Sequence, residues 1–101
     1  MLTYSIADDV ILVRLHGELD HHSAVKVRGQ IDTLIDDNTQ IKRLVFDLSE
    51  LEFMDSSGIG VVIGRYKRMA AHGGKVSVRR PGKHVDRIFQ MSGLYQIIEK
   101  E

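Results

Sequence analysis

The stretch from residue 53 to residue 74 constrains the fold more than any other part of the chain. A short apolar segment, residues 44–48, precedes a polar run at residues 55–57, after which apolar residues recur every three or four positions. That spacing is typical of one face of a helix. Asp and Ser side chains can accept hydrogen bonds from the free N–H groups of a first helical turn, and Gly73–Gly74 is a typical helix end. The sequence therefore predicts a strand that leads into a helix, with Ser56 and Ser57 at a junction where the helix dipole favours an anion.

Three glycines in this helix need a separate explanation, because each costs about 1 kcal/mol relative to alanine inside a helix. Gly60 and Gly64 lie one turn apart, and close packing of the helix on the sheet is the expected role of Gly64. For Gly58 two roles stay open. It can serve the same packing, or it can leave the neighbouring serines accessible to a partner.

The size and charge of the chain limit its class. Its 101 residues predict one domain, residues 1–101, with a single core. The formal net charge is zero, so no general attraction to nucleic acid or to an anionic membrane is expected. There is no cysteine, which excludes disulfides and thiolate metal sites. No membrane span or signal peptide is evident, and a cytoplasmic location is therefore expected.

The remaining patterns predict an α/β fold with a mixed sheet. Alternating residues 2–6 and 10–16 predict a hairpin, and the helical period then predicts an amphipathic helix to about residue 35 with Asp20 as its N-cap. Residues 44–48 and 75–79 predict further strands, residues 85–92 a short third helix and residues 94–98 a fifth strand. Strand–helix–strand units require parallel neighbours with right-handed crossovers. Polar residues at alternate strand positions indicate helices mainly on one face and a more solvated opposite face.

Several kinds of active site have weak support in the sequence. Ser56 lies in a strand–turn–helix context like a nucleophile elbow, but Met54 occupies a position where that motif requires glycine. The glycines match neither of the phosphate-binding loop motifs GxxxxGK(S/T) and GxGxxG. His21–His22 has no third metal ligand at a suitable spacing. No catalytic residue and no metal site are therefore predicted. A small nucleotide-binding or hydrolytic protein that uses the turn from Ser56 to Gly60 stays as the alternative function.

Three segments resemble the signature blocks of a known family. GELDHH at residues 17–22, FMDSSGIGVVIGRYK at residues 53–67 and FQMSGLYQII at residues 89–98 are similar to the anti-sigma factor antagonists of the bacterial STAS-domain family. With these blocks in register the resemblance covers nearly the whole chain, and the sporulation branch of the family is the most similar. The resemblance implies a single STAS domain and a regulatory binding protein that is not an enzyme.

The resemblance also implies a mechanism of partner switching. The unphosphorylated protein would bind an anti-sigma factor that is also a serine kinase, with Mg-ATP held by that partner, and so release the sigma factor. Phosphorylation of Ser56 would switch the antagonist off, a serine phosphatase would reset it, and the chain itself would need no cofactor. Asp20, Asp55, Ser57 and Gly58 would support the phosphorylation site and partner binding. Relatives usually continue into a final amphipathic helix, which is expected to be absent from a chain that stops at Glu101.

Overall fold

The computed structural model describes all 101 residues and contains five strands, three α-helices and one 3₁₀ turn. In chain order these are β1 (Leu2–Ala7), β2 (Val10–Leu19), α1 (His21–Asp37), β3 (Arg43–Met54), α2 (Ser56–Ala71), β4 (Lys75–Arg79), α3 (Lys83–Ser92), a 3₁₀ turn (Leu94–Gln96) and β5 (Glu99–Lys100).

The five strands form one sheet in the order β1-β2-β3-β4-β5. β1 and β2 pair antiparallel, and all later neighbours pair parallel. The hairpin turn places Asp8 at φ +55°, a left-handed conformation that tight two-residue turns require. The predicted hairpin and the mixed sheet with parallel strand–helix–strand units are therefore confirmed.

The core lies on one face of the sheet. Alternate residues of β2, β3 and β4 point into it, and all three helices cover it with their apolar sides. Those helical residues are Val27, Ile31 and Ile35 from α1, Val61, Val62 and Met69 from α2, and Val85 and Phe89 from α3. The prediction of helices mainly on one face is thus confirmed. No helix has the length and apolar character needed to cross a membrane.

The opposite face of the sheet is less solvated than the sequence predicted. Asp47 is completely buried there, and its Oδ2 accepts hydrogen bonds from Arg80 at 2.5 Å and from Arg14 at 3.2 Å. Burial alone would raise the pKa of Asp47, but hydrogen bonds from Ser49, Arg80 and Arg14 outweigh it and hold the pKa well below its usual value. Long arginine side chains thus cover this face in place of a second layer of helices.

Two strand boundaries differ from prediction. β2 continues past His16 to Leu19, and β3 continues past Leu48 to Met54. The register between the two strands shifts beside His16 and Gly17, and Gly17 has φ +83°. These irregularities break the alternation of apolar and polar residues that marks a strand in sequence, so the extensions carried no sequence signal.

The predicted fifth strand at residues 94–98 was wrong. Gly93 ends α3 with φ +79°, and a 3₁₀ turn follows, in which the N–H of Ile97 donates to the carbonyl of Leu94 at 3.1 Å. The N–H of Ile98 donates to the same carbonyl at 2.9 Å. Leu94 and Ile98 are both buried, and their spacing of four residues fits a helical turn better than a strand. The fifth strand is the short β5 that comes directly afterwards.

Ion pairs join α1 to α2. Asp32 on α1 lies 3.0 Å from Arg65 Nε and 2.8 Å from Arg68 Nη1, and Arg68 also pairs with Asp36. Arg65 is buried at this contact, where it is close to one opposite charge. The pairs fix how the two helices lie against each other, and therefore where their N-terminal ends meet.

Candidate functional site

The candidate site lies at the end of a two-stranded extension of the sheet. β3 pairs with β4 only as far as Asp47, whereas β2 and β3 stay paired to Leu19 and Met54. The contact continues one residue further, because the N–H of Asp55 donates to the carbonyl of Leu19 at 3.3 Å. Since α1 starts at His21 and α2 at Ser56, the extension brings both helix starts to one edge of the molecule.

Asp55 alone caps α2. Its Oδ1 accepts hydrogen bonds from the backbone N–H of Ser57 at 2.8 Å and of Gly58 at 3.3 Å. The two serines therefore occupy the first two helical positions, and neither hydroxyl is used as the cap. Ser56 is exposed and Ser57 is half-buried. The helix start thus presents a free hydroxyl at the positive end of the helix dipole, where negative charge is favoured.

Asp20 caps α1, as predicted. Its Oδ1 accepts from the N–H of Ser23 at 3.0 Å, and the Ser23 hydroxyl accepts from the N–H of Asp20 at 3.1 Å, which makes a reciprocal capping box. The backbone hydrogen bond from Ser23 is the main cause that lowers the pKa of Asp20, and the carboxylate is therefore ionised at neutral pH. Asp20 follows Leu19 and Asp55 follows Met54, so the two capping carboxylates flank the same edge.

The structure gives the close-packing role to Gly58, for which two roles were open, and not to Gly64. Gly58 is buried, and a Cβ built on it would lie 2.5 Å from Cγ of Met54 and 3.0 Å from the carbonyl oxygen of Leu19. A Cβ on Gly60 or Gly64 would meet nothing within 4 Å. The prediction of close packing at Gly64 was therefore wrong, because the packed side of α2 carries other residues and the glycine lies off it. Gly58 is the position where the helix must approach the strand ends closely.

An aromatic contact beside the site was missed by sequence reasoning. The rings of Phe53 and His84 stack with centroids 5.3 Å apart and an angle of 15° between their planes. Phe53 remains 38% exposed although it is a large apolar side chain. The stack joins the end of β3 to the first turn of α3, across 31 positions of sequence, and no local pattern connects them.

The site edge is negatively charged. Glu18, Glu50 and Glu52 are exposed on the two-stranded extension, next to the capping residues Asp20 and Asp55. The ion pairs of the structure use other carboxylates, namely Asp32, Asp36, Asp47, Asp86 and Glu101. No group of three or more potential ligands lies close enough together to hold a metal ion. The arrangement therefore offers an exposed hydroxyl within an acidic surface, which suits an acceptor of a transferred group recognised by a partner.

Comparison with known proteins agrees with this fold. The STAS domain model matches residues 2–101, and the chain therefore belongs to the STAS-domain family. The curated anti-sigma F factor antagonist of Paenibacillus polymyxa is 46% identical over 89 residues, which cover 88% of this chain and 75% of that protein.

Solved structures give the same result. The anti-sigma factor antagonist SpoIIAA in its unphosphorylated form superposes with a TM-score of 0.87 at 31% identity, covering 100% of this chain and 88% of that one. The phosphorylated form of the Bacillus cell fate determinant SpoIIAA superposes with a TM-score of 0.78 at 30% identity, covering 100% and 91%. The resemblance seen in the sequence blocks and the predicted STAS architecture are both confirmed.

Proposed function

We propose that this chain is an anti-sigma factor antagonist of the sporulation type, switched by phosphorylation of Ser56. In its unphosphorylated form it binds an anti-sigma factor that is also a serine kinase with Mg-ATP, and the bound sigma factor is released. Transfer of the γ-phosphoryl group to Ser56 ends the interaction, and a serine phosphatase restores it. Such an antagonist acts in the cytoplasm, where sigma factors and Mg-ATP are present.

The observation that carries the proposal is the division of roles at the start of α2. Asp55 satisfies the first free N–H groups of the helix, so the Ser56 hydroxyl is exposed and has no capping role. A kinase can approach it without unfolding the helix. Ser57, one residue on, is half-buried, which favours Ser56 as the acceptor.

The other predicted site residues support this role in different ways. Gly58 lets the helix start pack against the strand ends, and thereby holds the Ser56 backbone at the edge of the sheet. Asp20 holds the start of α1 beside it and adds a carboxylate that a cationic group of the partner can contact. The partner surface therefore includes both helix starts.

Phosphate would act as a surface mark and not through refolding. The arginine ion pairs of the structure use Asp32, Asp36, Asp47 and Glu101 and lie away from this edge, so the paired arginines are not placed to reorganise around a new phosphate. The added charge, about −1.5 to −2 at pH 7, joins an edge that already carries several carboxylates. In the partner complex this charge lies close to nucleotide phosphates, where like-charge repulsion costs several kcal/mol.

The test is phosphate transfer from the partner kinase with radiolabelled Mg-ATP. We expect one phosphate per chain in wild type and in Ser57→Ala, and none in Ser56→Ala, while Ser56→Ala still binds the kinase. Label that persists in Ser56→Ala and disappears in Ser57→Ala would move the acceptor to Ser57. Repeated turnover of ATP by the chain without any partner would instead support the nucleotide-binding or hydrolytic alternative.

A further inference from the structure

The edge strand β1 is unprotected against pairing with another strand. None of its residues, Leu2–Ala7, is charged, and none is proline. The opposite edge of the sheet differs, because β5 has only two residues, both charged, and Glu101 follows them. Sheet edges are normally blocked by short strands, charges, proline or bulges. One edge of this sheet is blocked in that way, whereas the other is open.

The backbone groups available at the open edge follow from the hairpin register. The N–H of His16 donates to the carbonyl of Met1 at 2.9 Å, and β1 then pairs with β2 residue by residue from Leu2 opposite Leu15. Hydrogen-bonded and non-bonded positions alternate along an antiparallel pair. The backbones of Thr3, Ser5 and Ala7 therefore form hydrogen bonds with β2. The N–H and C=O groups of Leu2, Tyr4 and Ile6 point the other way in the plane of the sheet, outward from its edge.

The same three residues carry the apolar side chains of the strand. Leu2, Tyr4 and Ile6 lie opposite Leu15, Val13 and Ile11, and so on the core face of the sheet. The helices do not fully cover this face at β1, where Tyr4 is 56% and Ile6 is 37% exposed to solvent. An added strand would gain both backbone hydrogen bonds and an apolar face from the same positions.

We propose that this edge pairs with β1 of a second copy of the chain, antiparallel and centred on Tyr4. Leu2, Tyr4 and Ile6 are symmetric about Tyr4, so that Leu2 of one copy lies opposite Ile6 of the other and Tyr4 lies opposite Tyr4. Three hydrogen-bonded residue pairs form about six backbone hydrogen bonds. The strand is uncharged and the chain has a net charge of zero, so two copies meet without repulsion.

The dimer leaves the phosphorylation site free. β1 pairs with residues 10–15 of β2, whereas the site lies at the far end of β2, beyond Leu19. The proposal is therefore independent of the switch at Ser56. A six-residue strand pair is a small interface compared with the roughly 1,200–2,000 Å² of a stable complex, so association depends on concentration.

Sedimentation equilibrium over a concentration series tests the proposal. For wild type the average mass should rise from 11.4 kDa towards twice that value as concentration increases. Tyr4→Lys places two like charges opposite each other at the symmetry axis, and should raise the dissociation constant about tenfold or more. Val25→Lys is the matched control, because Val25 is an exposed apolar residue on α1, and this variant should associate like wild type. Wild type that stays monomeric up to its solubility limit, or a Tyr4→Lys variant that dimerises as well as wild type, would overturn the proposal.

Amide hydrogen exchange of wild type gives a second readout that needs no variant. The amides of Tyr4 and Ile6 should become protected as concentration rises, while those of Thr3 and Ser5, already bonded to β2, should not change. Equal behaviour of the two sets would contradict the proposed pairing.

Discussion

Gly58→Ala gives a sharp test of how α2 is joined to the sheet. In the structure the new Cβ would lie 2.5 Å from Cγ of Met54 and 3.1 Å from Cγ of Leu19. Ordinary carbon–carbon contacts are about 3.5–4.0 Å, so at least one of the two side chains must move. The carbonyl oxygen of Leu19 also lies 3.0 Å from this Cβ. It cannot easily move away, because it accepts the hydrogen bond from the N–H of Asp55.

The expected magnitude is a balance of two effects. Overpacking of this kind costs about 1–3 kcal/mol. Alanine regains at most about 1 kcal/mol of helix propensity relative to glycine. We therefore expect Gly58→Ala to lower the free energy of unfolding by up to about 2 kcal/mol. Each kcal/mol corresponds to a fall in Tm of about 4–8 °C for a domain of this size.

Gly64→Ala is the matched control on the same helix. Its Cβ meets nothing within 4 Å, so only the propensity gain remains, and the variant should be more stable than wild type by about 0.5–1 kcal/mol. Urea unfolding of wild type and both variants measures the difference, provided that the m-values agree. If Gly58→Ala is stabilised like Gly64→Ala, the argument from close approach at Gly58 is wrong.

Three further predictions concern the cap of α1, the buried carboxylate on the opposite face of the sheet, and phosphorylation. Asp20→Asn should change the free energy of unfolding by no more than about 0.5 kcal/mol, because Asn caps a helix as well as Asp does, but it should weaken kinase binding. A variant that binds the kinase and is phosphorylated like wild type would leave Asp20 with a capping role only. The folded-state pKa of Asp47 is lowered, so its stabilising contribution is present above the unfolded pKa of about 3.9 and is lost as pH falls through that value towards the folded pKa. Urea midpoints measured at neutral and acidic pH should therefore differ less in Asp47→Asn than in wild type, and an equal difference would contradict this. Phosphorylation of Ser56 should alter amide hydrogen exchange only in its loop and the first turn of α2, and a broad loss of protection would favour reorganisation over a surface mark.

Much of the fold could be predicted because local patterns and tertiary structure agree. The helical spacing of the apolar residues in α1 and α2 places their buried sides, and Asp20 and Asp55 cap the helices they precede. The hairpin follows from two alternating segments separated by a two-residue turn. At these positions the local sequence and the tertiary contacts favour the same secondary structure.

The rest depends on contacts that local patterns do not contain. The extension of β2 and β3 that carries the site is irregular, and only pairing between the two strands makes it a strand. The difference between Gly58 and Gly64 depends on Met54 and Leu19, which approach only one of them. The stack of Phe53 on His84 depends on where α3 docks. The placement of Ser56 at a helix start was predictable, whereas the shape of the surface around it was not.

Phosphate on Ser56 is expected to switch off partner binding. Isothermal titration of the partner kinase, loaded with a non-hydrolysable ATP analogue and Mg²⁺, should compare the unphosphorylated chain with the chain stoichiometrically phosphorylated at Ser56. Repulsion of several kcal/mol predicts a dissociation constant at least about 100-fold higher for the phosphorylated chain, which corresponds to about 2.8 kcal/mol. Equal affinity of the two forms would show that phosphate on Ser56 is not the switch.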